Sequence, residues 1–98
     1  MGLPKLISTI EYVRPPAPRY PRTARSLGQR GLVILRALID VNGHATEVIV
    51  HRSTGFSALD EAARRAVLEA AFKPYEEDGR RQPAFVLIPI EFDPSHAG

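Results

Sequence analysis

Apolar positions follow a strand-like pattern in three stretches of the chain. Residues 32–41 carry apolar side chains on both faces, which is typical of a central strand. Residues 44–52 alternate between apolar and polar positions. Asn42-Gly43 between them is a strong hairpin signal, because both residues accept positive φ angles. Ala84–Phe92 is apolar at nearly every position and rich in β-branched and aromatic residues, which predicts a third strand.

Two helices are predicted between these strands. A short one follows Pro21, whose missing N–H is no loss in a first helical turn, and Gly28 is placed to end it. A longer one begins near Ser57, a predicted N-cap with Asp60 completing an approximate capping box, and Pro74 ends it. Its apolar stripe has helical spacing and consists of Leu59, Ala62, Ala63, Ala66, Val67, Ala70 and Ala71.

The element order helix–strand–strand–helix–strand predicts an α+β fold. A helical crossover returns the third strand parallel to the second, which makes the third strand antiparallel to the first. Placing it beside the first strand gives a three-stranded antiparallel sheet of order 2-1-3, with both helices on one face. Val86, Ile88, Ile90 and Phe92 are then expected to point toward the helices.

This topology places Ala84–Phe92 at a sheet edge. Pro89 agrees with that position, because a proline within a sheet is confined to edges, strand starts and bulges. The pattern leaves open whether the missing N–H of Pro89 faces the open edge or the neighbouring strand. It also leaves open whether the edge is free, covered by residues 6–13, or covered by a second copy of the chain.

Composition narrows the class of protein. The chain has 98 residues, 44% of them hydrophobic and 24% charged, which predicts one soluble domain with one modest core. It has no cysteine, which excludes disulfides and cysteine-ligated zinc. Prolines cluster at residues 15, 16, 18 and 21, which is typical of an extended linker reaching a domain. We therefore predict a linker end or flexible arm over residues 1–18, a domain over residues 19–93 and a tail over residues 94–98.

Few residues point to catalysis. His44, His51 and His96 lie at spacings that do not suit a metal site, so no metal and no cofactor are predicted. Ser53 and Ser57 lie near His51 but lack a nucleophile-elbow motif, and turn and cap roles suit them better. The chain is accordingly predicted not to be an enzyme.

One short motif admits a nucleic-acid alternative. Gly28-Gln29-Arg30-Gly31 has the G-x-x-G form with which KH domains clamp nucleotide backbones. In a KH domain that loop joins two helices, whereas here Gly31 leads straight into a predicted strand. A helix stop followed by a strand entry is therefore the favoured interpretation, and nucleic acid is not the expected partner.

The order and spacing of many short motifs resemble one family. The chain resembles the C-terminal domain of TonB energy transducers over roughly residues 15–93. The residues that carry the resemblance are Tyr20-Pro21, Ala24, Leu27-Gly28, Gly31-Leu32-Val33, Ile39-Asp40, Gly43, Val48, Val50, Ser53-Thr54-Gly55, Leu59-Asp60, Ala62-Ala63, Phe72-Lys73-Pro74, Gly79 and Ile88-Pro89-Ile90-Glu91-Phe92.

The resemblance implies a periplasmic binding domain of a longer protein. That protein would be anchored in the inner membrane by an N-terminal helix and would contact ExbB and ExbD there. Its C-terminal domain would bind the TonB box, a short extended segment of outer-membrane TonB-dependent receptors, by β-strand addition. It would pass proton-motive energy to these receptors for siderophore, haem or cobalamin uptake. A homodimer through the edge strand is a further expectation.

The resemblance also implies the partner-binding residues. The first group lies on the last strand: Ala84, Phe85, Val86, Leu87, Ile88, Pro89 and Ile90. The second precedes the domain: Ala17, Pro18, Arg19 and Tyr20. Some family members have a glutamine that contacts the box at the position occupied here by Ala17.

Overall fold

The computed structural model describes residues 2–96 and contains two α-helices, eight β-strands and a short 3₁₀ helix. The elements in chain order are β1 Lys5–Ile7, β2 Tyr12–Arg14, α1 Arg22–Ser26, β3 Gly31–Ile39, β4 Ala45–Arg52, α2 Ser57–Glu69, β5 Ala71–Phe72, β6 Glu76–Glu77, β7 Arg80–Arg81, β8 Ala84–Phe92 and the 3₁₀ helix Pro94–His96. The 3₁₀ helix falls within the predicted tail, and residues 97 and 98 of that tail lie outside the described residues.

The main sheet confirms the predicted α+β fold with one addition. Its strand order is β1-β8-β3-β4, so β3 is central and antiparallel to both β4 and β8, as predicted. The predicted three-strand order 2-1-3 is incomplete, because β1 joins β8 in parallel as a fourth strand. β1 has only three residues and therefore no periodicity that the sequence pattern could reveal.

The core lies between the sheet and the helices. Val33, Leu35, Ala37 and Ile39 of β3 are fully buried, and the even-numbered residues of β8 are buried beside them, as predicted. From α2 the stripe buries Leu59, Ala63, Ala66 and Val67, and the small alanines let the helix lie close to the sheet. α1 contributes Ala24 to the same cluster.

The longer helix ends earlier than predicted. The sequence placed its end near Pro74, but α2 ends at Glu69 and the next residues form β5, which pairs with β2. The N–H of Phe72 donates to the carbonyl of Gly43 at 2.9 Å, and its ring packs against Tyr12 with centroids 5.4 Å apart. These contacts hold Phe72 buried in an extended conformation, so tertiary packing overrides the helical spacing of Ala70 and Ala71.

The first hairpin turn also differs from its prediction. Gly43 has φ +84°, whereas Asn42 is not among the residues with positive φ. The N–H of Gly43 donates to the carbonyl of Asp40 at 3.0 Å, so the turn spans residues 40–43. The carboxylate of Asp40 accepts from the N–H groups of Asn42 and His44, each at 2.9 Å. A second turn lies at Asp78-Gly79, with both residues at positive φ between β6 and β7.

Candidate functional site

The outer side of β8, the side away from β3, is the candidate site. Backbone N–H and C=O groups alternate in direction along a strand, and this alternation (here called parity) shows which residues of β8 face outward. The N–H of Asp40 donates to the carbonyl of His44 at 2.8 Å, on the β4 side of the sheet. Backbone groups of successive residues in a strand point to opposite sides, so Leu38, Arg36 and Ile34 also face β4. The odd-numbered residues of β3 therefore face β8.

The same parity assigns the two sides of β8. β3 and β8 pair without a shift from Gly31↔Phe92 to Ile39↔Ala84. Val86, Ile88 and Ile90 therefore direct their backbone groups toward β3. Phe85, Leu87, Pro89 and Glu91 direct theirs outward. The missing N–H of Pro89 thus falls on the outer side, which explains why the β3–β8 register continues through this residue.

β1 covers only the beginning of this outer side. It pairs Lys5↔Ala84, Leu6↔Phe85 and Ile7↔Val86, in parallel. After Ile7 the chain bends at Ser8 and leaves β8. Among residues 2–96, no strand residue is partnered with residues 87–92 on this outer side, where β1 reaches only the N–H of Leu87 through the carbonyl of Ile7. That stretch presents the carbonyl oxygens of Leu87, Pro89 and Glu91, so it offers more acceptors than donors.

A small cavity marks the point where β1 ends. Leu6, Ile7, Ser8 and Leu87 line a space of about 210 Å³ there. On the outer face of the sheet nearby, the guanidinium of Arg36 lies over the ring of Phe85 at 5.0 Å. Leu87, Pro89 and Glu91 are exposed, whereas Ile88 and Ile90 between them are buried. An extended segment that paired with the outer side of β8 would therefore meet an apolar strand whose alternate side chains, Ile88 and Ile90, are packed in the core.

Charged and polar side chains hold the first residue of β1 in place beside β8. The ammonium of Lys5 lies 2.6 Å from the carboxylate of Glu77, and the hydroxyl of Tyr75 donates to the same carboxylate at 2.7 Å. The hydrogen bond from Lys5, followed by that from Tyr75, lowers the pKa of Glu77 below its usual value. The same hydrogen bond to Glu77 raises the pKa of Lys5. No local sequence pattern indicates this cluster, because Lys5 and Glu77 are far apart in the chain.

The second predicted group of site residues is divided between two places. The ring of Tyr20 packs edge-on against Phe92 at 5.3 Å, and its hydroxyl donates to the carbonyl of Gln29. Tyr20 therefore lies at the end of β8. Ala17 and Arg19 instead line a groove of about 560 Å³ against α2, and Pro18 between them is half-buried.

The alternative sites find little support. Gly28, at φ +70°, ends α1, and Gly31 is the first residue of β3, so the G-x-x-G segment joins a helix to a strand. Within the described residues, no group of three or more His, Asp or Glu side chains could hold a metal ion. His44 and His51 are exposed, and the side chain of His96 lies outside the described part of the chain. No helix of residues 2–96 has the length and apolarity that crossing a membrane requires.

Comparisons with known proteins agree with one another. The sequence profile described as "Gram-negative bacterial TonB protein C-terminal" matches residues 16–94. The tonB2 protein of Pseudomonas aeruginosa is 37% identical over 81 residues, which are 83% of this chain and 30% of that protein. The TonB protein of Vibrio cholerae is 36% identical over 75 residues, which are 76% of this chain and 31% of that protein. The chain thus spans about a third of the length of these curated relatives.

Two solved structures share the fold. The solution NMR structure of the Pseudomonas aeruginosa TonB CTD has a TM-score of 0.71 and 25% identity, covering 86% of this chain and 85% of that chain. The Helicobacter pylori TonB-CTD has a TM-score of 0.65 and 28% identity, covering 82% of this chain and 84% of that chain. None of these similarities supports the nucleic-acid alternative. The chain therefore belongs to the family of TonB C-terminal domains, which are periplasmic.

Proposed function

We propose that this domain captures an extended segment, the TonB box of an outer-membrane receptor, by β-strand addition along the outer side of β8. The observation that carries the proposal is the regular and largely apolar stretch at residues 87–92, which has no partner strand on its outer side among the described residues. An extended peptide adds to such an edge through main-chain hydrogen bonds, while side-chain pockets supply specificity. Each bond contributes about 0.5–1.5 kcal/mol net.

The contacts are proposed to run along β8 toward Tyr20. Leu87, Pro89 and Glu91 would accept hydrogen bonds from the N–H groups of the added segment, and Ile88 and Ile90 would support that strand from the core side. Tyr20, packed on Phe92, would border the far end. Contacts through Ala17, Pro18 and Arg19 remain a prediction, and these residues lie along the groove against α2.

The role of the longer protein is part of the same proposal. We place the domain at residues 19–93, between an N-terminal arm over residues 1–18 and a tail over residues 94–98. The longer protein would be anchored in the inner membrane by an N-terminal helix and driven by ExbB and ExbD. Tension passed through the domain would act on the receptor during uptake of a siderophore, haem or cobalamin. A homodimer through the free part of β8 is the competing use of the same edge.

Calorimetric titration with a synthetic TonB-box peptide tests the proposal. Glu91→Pro removes an outward N–H from β8 and should weaken binding at least about fivefold, the equivalent of one hydrogen bond. Val50→Pro is the matched control, because parity directs the N–H of Val50 outward on the opposite edge of the sheet. Val50→Pro should leave the affinity unchanged.

Salt dependence separates the proposal from nucleic-acid binding. Strand addition should change little between 50 and 200 mM salt, whereas a phosphate-binding surface would lose affinity steeply over this range. Binding of a single-stranded RNA with a steep salt slope, together with no heat from the peptide, would overturn the proposal. Equal weakening by both proline substitutions would also contradict it.

A further inference from the structure

β1 already occupies the edge that the proposed function assigns to a partner. Its three residues pair with β8 on the outer side, in line with the free stretch that begins at Leu87. A segment longer than the free stretch would extend over residues 84–86 and meet β1 there. β1 is therefore an occupant of the site from the same chain, and its direction and side chains indicate which partner segment would fit the β8 edge.

The contacts that hold β1 are few. Lys5 and Leu6 are 61% and 62% exposed, and the ion pair between Lys5 and Glu77 lies at the surface, where such pairs contribute little. Ile7 is the one residue of β1 that packs against the core cluster. Detachment of such a short edge strand, with one half-buried side chain, is expected to cost only a small fraction of the free energy of global unfolding.

We propose that Lys5–Ile7 is an internal ligand of the β8 edge that a partner segment displaces. The displacing segment runs parallel to β8, with a basic residue facing Glu77 and an apolar residue in the place of Ile7. This inference rests on the proposed function and deepens it, because it names the direction and the side-chain pattern of the captured segment. It also makes capture depend on release of the chain's own N-terminal arm.

The side-chain pattern follows from what β1 leaves behind. When Lys5 departs, the carboxylate of Glu77 stays beside the first residues of β8 with Tyr75 as its remaining partner. A lysine or arginine in the incoming segment restores the lost ion pair, whereas an acidic residue is repelled. At the other end, the position of Ile7, which is paired with Val86 and packs against the core cluster, receives an aliphatic side chain.

The first test asks whether β1 can be released without unfolding the domain. In a parallel pair, Phe85 bonds the residues on either side of its partner Leu6, so the N–H of Ile7 faces Phe85. Ile7→Pro removes this donor, and Leu3→Pro, at an exposed residue before β1, is the matched control. Amide hydrogen exchange should quicken at least about tenfold at Phe85 in the Ile7→Pro protein. Ile88, which bonds β3, should be unaffected, and Leu3→Pro should change neither.

The second test supplies the segment in trans. A synthetic peptide of residues 3–10 should bind the Ile7→Pro protein, shift the amide signals of residues 84–87, and bind the native chain at least about tenfold more weakly. A peptide with glutamate in place of the lysine should bind the Ile7→Pro protein more weakly still. It should recover affinity in an Ile7→Pro/Glu77→Lys protein.

The outcomes separate this inference from the proposed function. A TonB-box peptide should bind Ile7→Pro more tightly than native protein, because the closed arm lowers the apparent affinity by the fraction of open molecules. Failure of that peptide with both proteins would contradict the proposed function, while the residue 3–10 peptide would still decide this inference. Equal affinity of the residue 3–10 peptide for native and Ile7→Pro proteins, or no binding to a folded Ile7→Pro protein, would overturn it.

Discussion

The two outer edges of the main sheet differ in regularity and in charge. At one edge, β4 is paired with β3 through two register shifts, one beside Ile34 and one beside Leu38. Such bulges bend an edge strand and hinder pairing with another chain. Exposed charges at Glu47 and Arg52 add to this protection, and α2 packs across the inner face of β4.

The β8 edge lacks most of these protections. β8 follows β3 over nine residue pairs without a shift, and its outward residues from 87 onward are a leucine, a proline and a glutamate. Its cover is the three-residue β1, and no other described strand pairs with the outer side of residues 87–92. The β4 edge is therefore protected by its bulges and charges, whereas the β8 edge is covered only where β1 pairs with it. A partner strand is therefore expected at β8.

A proline at a position of β8 whose N–H bonds β3 should have the largest effect. Ile88 is 2% exposed and directs its N–H toward β3, so Ile88→Pro removes a central ladder bond and disturbs the core. We expect a loss of at least about 3 kcal/mol in the free energy of unfolding, measured by urea denaturation. The matched substitution Glu91→Pro, on the outer side, should cost less than about 1 kcal/mol. Equal losses would show that the two sides of β8 are assigned wrongly.

A substitution at the turn before β4 should have the next largest effect. A Cβ atom at Gly43 would lie 2.0 Å from the carbonyl oxygen of Phe72, and the residue has φ +84°. Gly43→Val should therefore lower the free energy of unfolding by at least about 2 kcal/mol.

Gly79→Ala is the control that separates the cost of backbone strain at positive φ from the cost of the steric clash at Gly43. Gly79 also has positive φ, at +76°, but an added Cβ there would meet nothing within 4 Å. It should cost only about 1 kcal/mol. A melting temperature unchanged by Gly43→Val would contradict the close approach of β5 to this turn.

The loop after β4 should give a pH-dependent effect. Asp60 of α2 accepts hydrogen bonds from the N–H of Thr54 at 2.9 Å, from the Thr54 hydroxyl at 2.8 Å, and from the Ser53 hydroxyl. Partial burial acts to raise the pKa of Asp60, but these hydrogen bonds outweigh it and the pKa falls below its ordinary value of 3.8. Because the folded pKa is the lower one, this stabilisation is present above the unfolded pKa and is lost as pH falls through the folded pKa.

Asp60→Asn tests that linkage. It should reduce the free energy of unfolding at pH 7 by about 1 kcal/mol. It should also flatten the fall in stability below about pH 4, because the substituted side chain does not titrate. Denaturation curves recorded at several pH values measure both effects. A pH profile identical to that of the native protein would show that Asp60 does not tie β4 to α2.

Restoring a donor to the β8 edge should give the smallest change. Pro89→Ala adds an outward N–H among the carbonyls of residues 87–91. It should tighten binding of an added strand by about 0.5–1.5 kcal/mol, or promote dimers when no partner is present. Pro83→Ala, just before β8, is the control. Sedimentation and calorimetry distinguish the two results, and no change in either would contradict the outward orientation of residue 89.

The fold was largely predictable because its long elements carry strong periodic signals. The two faces of β3, the alternation in β8 and the alanine stripe of α2 each agree with the structure. The errors lie where tertiary contacts decide. Phe72 leaves the helix because Gly43 and Tyr12 hold it extended. Asp60 binds Ser53 and Thr54 in place of the predicted capping box, and Phe56 occupies the N-cap position.

The site was predictable only in part. Pro89 and the topology placed β8 at the edge of the three predicted strands, but which way its missing N–H points depends on register, which the sequence pattern does not specify. β1 is too short to leave a periodic signal, and its ion pair joins residues far apart in the chain. Tyr20 reaches β8 by packing on Phe92, a contact that no local pattern encodes.

Amide chemical-shift mapping with a TonB-box peptide tests most directly whether β8 is the partner edge. We expect the largest shifts at Leu87 and Glu91, whose N–H groups face outward, and smaller shifts at Ile88 and Ile90, which bond β3. Residues of β4 should not respond. Shifts concentrated along β4, or at residues 28–31 with β8 unaffected, would contradict the assignment of β8 as the binding edge.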